Sequence, residues 1–195
     1  MNPPGLRERK KQKTRWAIQA HALRLFAEQG YEQTTVDQIA EAAEVSQSTF
    51  FRYFRTKEEL VVNDEYDDLM VSLFQAEPTD RPPIAALRHV IGQAFQDMTA
   101  EDIDKIRQRV VLLTAVPALR MRLLDQFNTN LGMIAQALAP HVGAPVDSFE
   151  VRVLAGAVTG VLVTAVFLWA EGGADGDFAE IIDRALAELE TRAGR

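Results

Sequence analysis

The chain has 195 residues, 47% of them hydrophobic, with 21 Lys+Arg against 28 Asp+Glu and no cysteine. That length allows one or two domains with a substantial core, and the lack of cysteine excludes a disulfide framework, a thiolate metal site and a Cys nucleophile. The net charge of −7 is unevenly spread: residues 1–60 hold 10 basic against 8 acidic side chains, residues 61–195 hold 11 against 20.

The first segment, MNPPGLRERKKQKTRW, is charged and lacks the apolar stretch of a secretory signal, which leads us to expect a cytoplasmic protein. Arg7, Arg9, Lys10, Lys11, Lys13 and Arg15 are expected to form a basic arm just ahead of the first helix, able to reach phosphates or a minor groove; a merely solvated tail has the same composition. Next, Val36, Ile39, Ala40 and Ala43 recur at helical spacing, and Thr35 with Gln38 makes a capping box at the start of that helix. After a short corner Ser46 caps a second helix, which turns Phe50, Tyr53 and Phe54 inward and leaves Gln47, Ser48, Phe51 and Arg52 outward. Two short helices set at a corner, the second presenting small polar groups and an arginine, suit the width of a DNA major groove. Thr56 with Glu59 reads as another capping box, opening a helix that runs to about Gln75.

Glu77 to Pro83 (EPTDRPP) is a loop by its prolines and polar residues. Further helical blocks follow, with Pro117 at a first turn and Pro140, His141 and Gly143 closing a helix. No strand alternation or internal repeat is present. Val153 to Ala170 is 18 residues without charge, with Gly156 and Gly160 at GxxxG spacing. A membrane span fits poorly, because the segment is short, single and diluted by Thr159 and Thr164; a helix buried in its own core and against a second subunit fits better. His21, His89 and His141 are scattered, and no HExxH, GxSxG, P-loop or dinucleotide fingerprint occurs. Neither catalysis nor a metal or cofactor is expected.

From Ala20 to about Leu60 the order LFAEQGYEQTTV, QIAEAAEVSQSTFFRYF, RTKEEL resembles the DNA-binding domain of the TetR family of transcriptional regulators. The resemblance implies an all-α chain: an N-terminal three-helix helix-turn-helix domain over residues 1–60, then a helical ligand-binding and dimerisation domain over 61–195. It also implies a homodimer formed by the last two long helices, about Ser148 to Ala170 and Asp177 to Thr191, and hence a palindromic operator in double-stranded DNA. Thr35, Tyr53 and Lys57 are assigned to phosphate. Gln47, Ser48, Thr49, Phe51 and Arg52 are assigned to the groove, with Ser46 capping their helix; Thr35 can equally only cap, and Tyr53 only pack. Two positions depart from the family pattern. Glu44 stands at the corner where glycine is usual, and Phe51 stands where many members carry a tyrosine.

The same resemblance implies a hydrophobic small-molecule effector, with a likeness to the subset whose C-terminal domain takes acyl-CoA-like ligands. Phe95, Met98, Met121, Phe127, Met133, Phe167 and Trp169 offer apolar surfaces for one, though each also suits plain core. Arg109, or else Arg107, Arg120 or Arg122, could pair with an anionic end. The expected activity is that of a ligand-released repressor; the competing reading is a helical lipid-binding module without specific DNA binding.

Overall fold

The computed structural model describes residues 6–62 and 66–193, and every regular element among them is helical: α1 (Leu6–Gln29), α2 (Val36–Ala42), α3 (Gln47–Tyr53), α4 (Glu59–Val62), α5 (Asp67–Ala76), α6 (Pro83–Asp97), α7 (Ala100–Ala115), α8 (Pro117–Val142), α9 (Phe149–Glu171) and α10 (Phe178–Ala193). The expected continuous helix from Lys57 to Gln75 falls partly on residues 63–65, outside the described residues; α4 and α5 stand on either side of them.

The basic arm is corrected to helix. α1 begins at Leu6, so Lys10, Lys11, Lys13 and Arg15 lie within its N-terminal half. The reason is local: beyond Gly5 the segment has no Gly or Pro, and Lys, Arg and Gln are good helix formers. The side chains of Arg7 and Arg9 lie outside the described residues. Arg15 places its guanidinium over the Phe54 ring, 4.8 Å from the centroid, a cation–π contact that joins α1 to the end of α3.

The N-terminal core is built from Ile18, Leu23 and Phe26 of α1, Ile39 and Ala40 of α2, Phe50 and Phe54 around α3, and Leu60 and Val61 of α4. The apolar spacing thus buries the faces it predicts. The core does not close on itself, however, because Leu113 of α7 and Leu119 of α8 complete it. Buried Gln19 adds a polar tie, donating from Nε2 to the Leu60 carbonyl at 2.8 Å.

The corner between α2 and α3 is a Schellman turn. Val45 N–H donates to the Ala40 carbonyl at 2.9 Å and Glu44 N–H to the Glu41 carbonyl at 3.0 Å, with Glu44 left-handed at φ 53°. This is the position at which glycine is favoured, since a Cβ costs energy there. Glu44 therefore preserves the corner at a conformational cost. The start of α4 differs from the expected box: Glu59 accepts from the backbone N–H of Arg55 at 2.7 Å, while the Thr56 hydroxyl bonds the Glu58 carboxylate.

In the remainder, α9 lies between α8 and α10, burying Val151, Ala155, Val158, Ala165 and Trp169. By length and composition α9 could cross a membrane; here one of its faces is core. Trp169 stacks on Phe178 at 4.4 Å and donates from Nε1 to the Asp175 carbonyl at 3.0 Å, which pins the α9–α10 turn. Arg88 of α6 holds α10 through both Asp183 oxygens, at 2.8 and 3.0 Å, and Glu190 at 2.9 Å.

Replacing Glu44 with glycine should stabilise the chain by about 1 kcal/mol, or about 2–4 °C in thermal midpoint at this chain length. Glu44→Ala, which removes the charge and keeps the Cβ, should leave the midpoint nearly unchanged.

Candidate functional site

α3 is a seven-residue helix of about two turns whose placement is fixed at both ends. At its start the Ser46 hydroxyl accepts from Thr49 N–H at 3.1 Å and lies 2.9 Å from both the Thr49 and Ser48 hydroxyls. At its end Phe50 and Phe54 are fully buried. Burying those two rings on one side forces Gln47, Ser48, Phe51 and Arg52 to the exposed side, with Thr49 half-buried between. Phe51 is 49% exposed although it contacts the Phe50 ring edge-on at 5.4 Å. The Arg52 guanidinium rests 5.4 Å from the Tyr53 ring, and Tyr53 is half-buried.

Asp37 and Tyr31 were not legible as parts of this surface. The Gln47 amide donates to the Asp37 carboxylate of α2, so the orientation of the first α3 side chain is set by its neighbouring helix. Tyr31 is clamped by α4 and its lead-in: its hydroxyl donates to Glu58 at 3.2 Å, and Lys57 sits 4.1 Å above its ring. Burial, with the Glu58 carboxylate beside it, pushes the Tyr31 phenol well above its ordinary pKa, so it stays a donor. Lys57 also donates to the Tyr31 carbonyl at 2.8 Å and the Thr34 carbonyl at 3.2 Å. It thereby holds the turn leading into α2. Thr35 forms the expected box there, its hydroxyl accepting from Gln38 N–H at 3.3 Å and its own N–H donating to Gln38 Oε1 at 2.9 Å. Thr35, Lys57 and the exposed side of α3 thus belong to one end of the molecule.

A second feature is a cavity of about 260 Å³ lined by α5 to α10 and partly open to solvent. Of the residues expected at a ligand site, Phe95, Met98 and Met133 line it. Met121, Phe127, Phe167, Trp169 and Arg109 stand outside its lining, because helix register turns them elsewhere. Met121 is 63% exposed, Phe127 is half-buried, Phe167 lies under the Arg120 guanidinium at 5.5 Å, and Trp169 backs Phe178. Arg109 is buried and donates from Nε to the Val61 carbonyl of α4 at 3.2 Å. Residues missed by composition include Tyr66, Phe74, Asn130, Thr159 and Phe178. Tyr66 donates to the Asp102 carboxylate at 2.8 Å, and bonds from Thr99 first, then from Tyr66, hold that carboxyl below its ordinary pKa.

Residues 18–63 match the family model described as bacterial regulatory proteins, tetR family, and residues 81–194 match the one described as the MftR C-terminal domain. Over 154 residues the chain is 35% identical to the HTH-type transcriptional regulator TcmR of Streptomyces glaucescens, covering 75% of this chain and 68% of that protein. Among solved structures, the FadR repressor of Thermus thermophilus in complex with lauroyl-CoA is 25% identical, with a TM-score of 0.55 over 90% of this chain and 92% of that one. The triclosan complex of SmeT shares the fold, at 18% identity and a TM-score of 0.57 over 90% of this chain and 91% of that one; SmeT is from Stenotrophomonas maltophilia.

Lys57→Met should cost about 1 kcal/mol in urea unfolding, since it removes two charge-assisted bonds from a partly exposed amine. Hydrogen exchange should quicken selectively over residues 31–38.

Proposed function

The chain belongs to the TetR family of bacterial regulatory proteins, and from that premise we propose that it is a homodimeric cytoplasmic repressor, bound to a palindromic operator through α3 and released when a hydrophobic small molecule fills the cavity. The family makes it a transcriptional regulator with a DNA-binding helix-turn-helix and a ligand-binding domain, and not an enzyme. The observation that carries the finer reading is the exposed face of α3, where Gln47, Ser48, Phe51 and Arg52 stand out from a helix locked by buried rings.

In this reading Arg52 and Gln47 supply base-edge hydrogen bonds, Ser48 and Thr49 make shorter polar contacts, and Phe51 packs against a thymine methyl or sugar. Thr35 and Tyr53 flank a phosphate. Lys57 has three donors, and with two committed to carbonyls the third remains for a phosphate at the α2 terminus. Base contacts specify and phosphate contacts position.

Two recognition helices must reach successive major grooves about 34 Å apart, which requires a dimer. The support for α9 as its seam is an apolar face left uncovered: Phe149, Val153 and Leu168 are 78%, 53% and 52% exposed. A Cβ placed on Gly160 would meet nothing of its own chain within 4 Å, so that glycine leaves room on the outer side for another helix.

α7 provides the link between ligand and operator. Asp102, Ile106, Arg109 and Leu113 follow one another at helical spacing. Asp102 accepts from Tyr66, Ile106 lines the cavity, Arg109 donates to the Val61 carbonyl, and Leu113 sits in the N-terminal core. A ligand that favours a different α7 position thereby moves α4 and the spacing of the two α3 helices, and it lowers operator affinity by its differential binding to the two states.

Selection of random duplexes by the purified protein should enrich a palindrome. Uniform weak binding to every sequence would reject this reading in favour of a ligand-binding module. On the selected duplex, Arg52→Ala should cost about 1–3 kcal/mol and relax specificity in each half-site, whereas Lys57→Ala should lower the salt slope by about one unit per subunit. Val153→Glu with Leu168→Glu should shift the protein to a monomer in light scattering and abolish palindrome binding.

A further inference from the structure

The wall of the cavity indicates what kind of molecule it accepts. Among the described residues its lining includes no Lys, Arg, His, Asp or Glu. The four arginines available to neutralise an anionic end are not among them, and Arg109 is committed to the Val61 carbonyl. The charge that a lining residue contacts is the Asp102 carboxylate, which accepts from the Tyr66 hydroxyl at 2.8 Å and has Lys105 Nζ 4.0 Å from the same oxygen, so it is largely balanced. A carboxylate or phosphate placed inside would lose its water and find no cation among the described lining residues.

The polar capacity of the wall is small and specific. The Thr159 hydroxyl donates to the Ala155 carbonyl at 2.7 Å and is committed as a donor. Asn130 lines the cavity, and its Oδ1 is buried without a hydrogen-bond partner. A buried amide oxygen left unpaired is costly, and a turn of the Asn130 side chain toward the cavity would bring it to a donor carried by the occupant. The rest of the surface is aromatic or thioether at Phe74, Phe95, Phe178, Met70, Met98 and Met133, a lining that accommodates flat rings. Size gives a further bound. An apolar cavity of about 150 Å³ takes one benzene ring, so the 260 Å³ available here is suited to roughly two.

We propose that the effector is an uncharged, compact, ring-bearing molecule of about two fused rings with one hydroxyl or N–H donor, which Asn130 of α8 receives. This rests on the reading of the cavity as the effector site. It differs from a ligand held by its charged group, because no charged side chain is found among the described residues of the wall.

The test is calorimetry with the full-length protein and four probes: 2-naphthol, naphthalene, 2-naphthoate and lauroyl-CoA. 2-Naphthol should bind most tightly, naphthalene about tenfold more weakly and 2-naphthoate more weakly still. Asn130→Leu should cost 2-naphthol about tenfold and leave naphthalene unchanged, with circular dichroism confirming the fold. Leu162→Trp, which fills the cavity from α9, should remove binding of both. Tighter binding of 2-naphthoate or lauroyl-CoA than of 2-naphthol would overturn the proposal, as would an Asn130→Leu protein that binds 2-naphthol normally. Operator release is measured separately. Binding of 2-naphthol without release leaves the ligand class standing and removes the switch, whereas release by lauroyl-CoA with no binding of 2-naphthol keeps the switch and removes the ligand class.

Discussion

Leu113 and Leu119 reach out of the C-terminal helices into the core that α1, α2, α3 and α4 build, and much of the molecule's behaviour depends on that insertion. A unit of about sixty residues buries too little apolar surface to be robust by itself. Here the deficit is met by side chains from α7 and α8, and polar ties lie beside them. Arg109 donates to the Val61 carbonyl, while Gln19 donates to the Leu60 carbonyl just before it. Two successive carbonyls of α4, those of Leu60 and Val61, are therefore claimed by different helices, one by α1 and one by α7. α4 is packed against both of them and against α8. Its position is set by what it is packed between, which makes it responsive to either neighbour.

The recognition surface follows the same logic on a smaller scale. α3 has seven residues and could not persist alone. It is held by the buried rings of Phe50 and Phe54, by the Ser46 cap, by the Schellman corner through Glu44, and by the Gln47–Asp37 bond. Most of these constraints act on the inner side or the ends, while Gln47 ties the outward side to α2. That division lets side chains such as Arg52 be chosen for a partner without disturbing the fold. Glu44 is the point of tension, since a glycine would meet the corner's left-handed requirement without a Cβ.

Local chemistry was legible in the sequence, and packing-dependent chemistry was not. The box at Thr35 and Gln38, the Ser46 cap and the inward set of Phe50 and Phe54 depend on neighbours within a few residues, and all could be read from spacing. The box at Thr56 failed because Glu59 found the Arg55 N–H and Glu58 took the Thr56 hydroxyl, a competition between adjacent acids that no spacing resolves. The start of α1 was misread because a basic run looks alike in a tail and in a helix. Of the residues that composition put forward for a ligand, Phe95, Met98 and Met133 line the cavity. Composition could not separate them from Trp169, which is equally apolar but turned behind Phe178. It could not foresee Arg109 either, whose partner lies 48 residues away.

The position of Arg109 also bears on how far a ligand's influence can extend. A switch can shift by no more than the difference in a ligand's affinity for its two states, typically about 1–3 kcal/mol between sites. An influence that small is lost if the intervening structure yields. α7 is suited to carry it because its contacts toward the cavity and toward α4 lie on one helical face, with Ile106 and Arg109 a single turn apart. A rigid helix moves both contacts together. The cation buried at Arg109 has the Val61 carbonyl as a directional partner, so a shift of α7 must either carry α4 along or break a charge-assisted bond. The first is the cheaper course, and it turns a change in the packing of an apolar cavity into a displacement of α4, whose Leu60 and Val61 share a core with Phe50 and Phe54.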